Sequence, residues 1–177
     1  MEIKNKIKTT ATLSVLSALT TVLLILGGLF DLLDLKCASV EAFIIQIVCN
    51  EYGLKQASLV YAVAALLSNL FLPLRSCPMV FAAFYGCFPI IRAFLYKKIK
   101  FKKLVYILLL VFFNVVMACM YFLFKEAFGI ANEPPVMVLA LLLAANIFYV
   151  AFELLLRRIM ILYNYYIKRN IKKNKGN

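Results

Sequence analysis

The chain contains no histidine and no tryptophan, and only 8 of its 177 residues are acidic. Without histidine there is no side chain that ordinarily gains and loses a proton near neutral pH, and the commonest metal ligand is missing. Enzymatic chemistry in a membrane would need a nucleophile and a base, or a metal set, within reach of one another. No HExxH motif and no pair of aspartates within an apolar run supplies them, so the sequence is not expected to encode an enzyme or to hold a metal or cofactor. The cysteines are equally uninformative as ligands. Cys37, Cys49, Cys77, Cys87 and Cys119 form neither a CxxC pair nor a metal-ligand spacing, and they read as small apolar packing residues. Cys37 and Cys77 fall in loops on the same expected side, which leaves a disulfide between them conceivable. The lack of tryptophan leaves tyrosine alone to form an interfacial belt, and Tyr96, Tyr106, Tyr163, Tyr165 and Tyr166 stand near the expected cytoplasmic helix ends.

What the chain has instead is apolar length. Hydrophobic residues make up 65% of it and its mean hydropathy is +0.93, well above the roughly half-apolar composition of soluble domains. A spanning helix takes about 20 apolar residues at about 1.5 Å each. Apolar runs at roughly 9–30, 37–50, 56–72, 78–96, 104–124 and 136–160 are separated by charged, proline-containing or lysine-rich stretches. The first run exceeds the 7 to 15 residues of a signal-peptide core and lacks an A-x-A-like cleavage site, so it reads as a helix of the protein. The second is short and carries Glu41, Gln46 and Asn50, as a re-entrant segment would.

Charge decides the reading of that second run. The formal net charge is +12, and the basic residues lie between apolar runs, which suits topology signals and anionic headgroups better than nucleic acid. If run 2 spans, Lys4, Lys6, Lys8, Lys55, Arg92, the five lysines at 97–103, Arg157, Arg158 and the tail from Lys168 to Lys175 all gather on one face. That face is cytoplasmic by the positive-inside rule. The opposite face keeps Lys36, Arg75 and Lys125 with Asp31, Asp34, Glu41, Glu126 and Glu133. The expected fold is therefore an all-α integral membrane protein, a bundle of six transmembrane helices with both termini cytoplasmic. It forms one domain over residues 1–167, followed by a basic tail, 168–177, expected to be disordered.

Polar groups inside the spans each need a reason, because an ionisable side chain there costs about 2.5 to 3.5 kcal/mol on insertion scales. Arg92 and Glu153 are expected at similar depth and can pair; alternatively Arg92 snorkels to the headgroups and Glu153 pairs with Arg157 one turn on. Asn114 and Asn146 lie nearer mid-membrane on the fifth and sixth runs, with Tyr85, Tyr121 and Tyr149 on the fourth, fifth and sixth. These five either line a substrate cavity or glue helices together. Ala11, Ser14 and Ala18 give helix 1 a small-residue face that permits close approach of another helix. Gly27-Gly28, followed by Asp31 and Asp34, suits a movable lid. Pro89 falls inside the fourth run and should kink it.

In size, helix count, cytoplasmic termini, small-residue first helix and polar outer ends of helices 4 to 6, nearly the whole chain resembles the S component, the substrate-binding membrane subunit, of energy-coupling factor transporters. The Glu51-Tyr52-Gly53-Leu54-Lys55 turn is similar to one in uncharacterised bacterial membrane proteins associated with that superfamily. The resemblance implies an ATP-driven prokaryotic importer of a vitamin-like small molecule. Substrate would be held near the outer side by helices 4 to 6, while Ala11, Ser14 and Ala18 would dock on a coupling membrane subunit that works with ATPase subunits. The competing expectation is a non-transporting scaffold for cell-envelope assembly, resembling the rod-shape determinant MreD, which shares the size and helix count and needs no cavity.

Overall fold

The computed structural model describes residues 2–30, 33–124 and 134–174, and all its described secondary structure is helical. The elements are α1 (Glu2–Leu29), α2 (Asp34–Glu51), α3 (Leu54–Phe71), α4 (Ser76–Val80), a π-helical turn (Phe81–Tyr85), α5 (Cys87–Lys98), α6 (Lys102–Phe124) and α7 (Pro135–Asn174). The helices outrun their apolar runs at one end or both, and in α5, α6 and α7 lysine and arginine, which are good helix formers, continue the backbone there. Helix α7 carries this furthest. It runs to Asn174, past the point at residue 167 where the sequence leads one to expect structure to end.

Five stretches are long and apolar enough to cross a membrane: Lys6–Leu29, Leu54–Phe71, Ser76–Lys98, Lys102–Phe122 and Val136–Tyr166. Helix α2 falls short on composition, and its packing explains why. It touches α1, α3, α4, the π turn and α5, and Ala38, Glu41, Ala42, Ile45, Gln46, Val48 and Cys49 are buried along it. A helix lined by protein rather than lipid needs less hydropathy.

The chain divides into two compact units, residues 1–112 and 113–177. In the first, α2 turns into α3 at Gly53, whose φ of +92° is a conformation that side chains rarely adopt. Helix α1 comes close to its neighbours at the glycines near its C-terminal end: a Cβ on Gly28 would stand 2.9 Å from Leu72 Cδ1 and 3.4 Å from Pro78 Cδ. The kink expected from Pro89 has a definite form. A proline ring clashes with the carbonyl four residues back, here that of Tyr85, and the helix widens immediately upstream into the π turn, where the Gly86 N–H bonds the Phe81 carbonyl at 2.8 Å. Widening frees carbonyls, and the Tyr61 hydroxyl takes one of them, donating to Ala82 O at 2.7 Å. Gly86 leaves room for that ring, since a Cβ there would overlap the Tyr61 side chain and stand 2.9 Å from Phe81 Cζ. Asn69 ties the entry to the same segment, its amide donating to Ala65 O at 2.8 Å and to Pro78 O at 3.2 Å.

Candidate functional site

The first unit encloses polar groups that an apolar bundle has no structural need to hold. Glu41 is fully buried, and among the described residues neither carboxylate oxygen has a hydrogen-bond partner. The sequence places Glu41 on the outer acidic surface; the structure instead turns it inward, because it shares the buried stripe of Ala38, Ala42 and Ile45 on α2. Thr20 on the adjoining α1 is likewise fully buried, its hydroxyl without a partner among the described residues, whereas Thr21 satisfies itself by donating to Ser17 O at 2.9 Å. One and a half turns beyond Glu41, Gln46 accepts from Arg92 Nη1 at 3.3 Å, and its own amide donates to Asn50 at 3.4 Å. The Arg92 guanidinium also lies 5.1 Å from the centre of the Tyr96 ring, a cation–π distance. Arg92 is thus buried against α2 within the first unit, where its side chain meets Gln46 and Tyr96.

The two groups differ in what they can do. The Arg92–Gln46–Asn50 chain is supplied with partners from its own helices, so it holds α5 on α2. Glu41 is not supplied. An enclosed carboxyl without a protein donor must be satisfied by something else, either a proton carried on the acid or the donor group of a bound molecule.

The residues singled out in the sequence distribute as follows. Tyr85 lies in the first unit, in the π turn, 3% exposed and edge-on to Phe84 with ring centres 5.2 Å apart. Asn114, Tyr121, Asn146 and Tyr149 lie in the second. There the two asparagines bond each other reciprocally, Asn114 Nδ2 to Asn146 Oδ1 at 3.0 Å and Asn146 Nδ2 to Asn114 Oδ1 at 3.1 Å. Asn146 also donates to Leu142 O at 2.8 Å. Tyr149 is buried one turn on and stacks on Phe113 at 4.8 Å between centres, and Tyr121 meets Phe122 edge-on. Arg92 belongs to the first unit and Glu153, also buried, to the second. Of the expected lid, Asp34 accepts a hydrogen bond from Ser76, joining the starts of α2 and α4, and Asp31 lies outside the described residues. Ala11, Ser14 and Ala18 are exposed along α1.

Glu41 and Thr20 are the candidates that the sequence did not bring forward. The available signal was their occurrence at buried-helix spacing among small and apolar neighbours. Among the described residues no three His, Cys, Asp or Glu side chains come together as a metal site. Comparison with protein-family models, with curated proteins and with solved structures gives no match to this chain.

Proposed function

We propose that this chain is the substrate-binding membrane subunit of an ATP-driven importer for a vitamin-like small molecule, similar to the S component of energy-coupling factor transporters. In this reading α2 is a sixth span packed among α1, α3, α4, the π turn and α5, both termini are cytoplasmic, and the protein resides in a prokaryotic cell membrane. The observation that carries the reading is Glu41. A bundle built only for packing gains by replacing an enclosed carboxyl that lacks a donor with an apolar side chain, and in this reading the acid receives the donor of a ligand. The sequence shows no nucleotide-binding motif, and in this reading hydrolysis falls to partner ATPase subunits, reached through a coupling subunit on the exposed Ala11, Ser14 and Ala18 surface of α1.

One observation favours the scaffold reading. Asn114 and Asn146, the polar groups expected to face a ligand, occupy each other's hydrogen-bonding atoms, as amides that only join helices do. Affinity isolation of the full chain from its native membrane separates the two. An importer subunit brings down ATPase and coupling subunits; an MreD-like scaffold brings down enzymes of envelope synthesis and no ATPase.

A further inference from the structure

Gly27 of α1 lies where α2 and α4 meet it. A Cβ at that glycine would stand 2.7 Å from Cys37 Cβ, 2.7 Å from Cys77 Sγ and 3.3 Å from Cys37 Sγ. Both sulphurs therefore surround one point, and they are at most about 6 Å apart. Because residue 27 has no side chain, none of its own stands between them. Rotation between staggered wells about χ1 swings a cysteine sulphur by about 3 Å, a displacement on the scale of the gap between the two thiols. The remaining cysteines are placed differently. Cys87 donates to the carbonyls of Ala83 at 3.3 Å and Phe84 at 3.4 Å. Cys49 lies about 18 Å along α2 from Cys37 at 1.5 Å per residue, and Cys119 is exposed on α6.

We propose that Cys37 and Cys77 are a disulfide-forming pair that staples α2 to α4 across Gly27. The oxidant is a disulfide compound, small or protein-borne, acting by thiol–disulfide exchange. Burial sets the order of events: Cys37 is partly exposed and Cys77 is 1% exposed. The Cys37 thiolate attacks the oxidant's disulfide, forming a mixed disulfide and releasing one thiol. The Cys77 thiolate then attacks Cys37 Sγ, forming the internal bond and releasing the second thiol. The pair gives up two protons and two electrons, and the oxidant's disulfide is reduced to two thiols. The bond joins the first turn of α2 to that of α4, where Asp34 and Ser76 are already in contact. It would fix the segments that follow α1 and α3.

The test uses the full-length protein in detergent, treated with oxidised glutathione, blocked with an alkylating reagent and digested without reductant. The expected result is loss of two of the five alkylatable thiols and recovery of one linked pair of peptides, containing Cys37 and Cys77. In Cys77→Ser the resolving thiol is gone, and glutathione should remain on Cys37. Five alkylated thiols in the treated wild type, a glutathione adduct persisting on Cys37 beside a free Cys77, or a linkage through any other cysteine would overturn the pairing.

Discussion

Replacing Glu41 by methionine keeps the length of the side chain and removes both unpartnered oxygens. Leaving such a group enclosed costs about 1 to 3 kcal/mol, and the variant should recover about that much. For a chain of 150 to 250 residues each kcal/mol corresponds to about 2 to 4 °C in midpoint, so thermal unfolding in detergent, followed by far-ultraviolet circular dichroism, should show a rise of several degrees. Glu41→Gln keeps polar atoms in the same enclosure, adds donors that also need partners, and should show no such gain. Both variants should lose ligand. A hydrogen bond to a charged group contributes about 1.5 to 3 kcal/mol, which corresponds to roughly 10- to 150-fold in Kd. The combination of higher stability and lost binding is what separates a functional acid from a structural one. If Glu41→Met instead fell by about 3 kcal/mol or more, the carboxylate would have to be one half of a buried pair, and the reasoning from an unsatisfied acid would be wrong.

Other regions give independent tests. Gly86→Ala should destabilise the first unit by about 1 to 3 kcal/mol through overpacking, whereas Tyr61→Phe should cost only about 0.5 to 1.5 kcal/mol for the lost bond to Ala82; equal stability of Gly86→Ala and wild type in detergent melts would contradict the close approach. A double-mutant cycle on Asn114→Ala and Asn146→Ala should give a coupling of about 0.6 to 1.7 kcal/mol, and strictly additive losses would deny the reciprocal amide pair. A single cysteine placed at Lys100 in a cysteine-free background should react with an impermeant maleimide only after the membrane is opened; labelling from outside intact cells would reverse the proposed topology.

How much of this was legible in the sequence depended on whether a residue met lipid or protein. The apolar runs around α1, α3, α6 and α7 announce themselves because the outward side chains of a spanning helix must be apolar, and Leu66, Leu70, Ile107 and Ile147 remain largely exposed in the structure. Helix α2 carries a weak signal for the opposite reason: its neighbours are helices, so the buried Glu41 and Gln46 lower its hydropathy without facing outward. Both read as surface or interfacial groups until their neighbours are known, whereas Asn50 is exposed in the structure as well. Pro89 predicted a disturbance in helix geometry, but proline alone does not specify a π turn, and the Tyr61 hydroxyl that satisfies Ala82 comes from 21 residues away. Asn114 and Asn146 were visible as amides in apolar runs. Their mutual bonding depends on the rotational setting of α6 and α7, which sequence spacing does not determine.

The central claim is that the bundle holds a small polar molecule through Glu41. Native mass spectrometry of the full chain, isolated from its own membrane in mild detergent, tests it most directly when wild type and Glu41→Gln are run side by side. The account predicts that wild type carries a bound molecule with at least one hydrogen-bond donor, released on collisional activation, and that Glu41→Gln is isolated without it. A wild-type protein that emerges folded and carries no small molecule, or a Glu41→Gln protein that retains the same molecule at the same occupancy, would contradict the account.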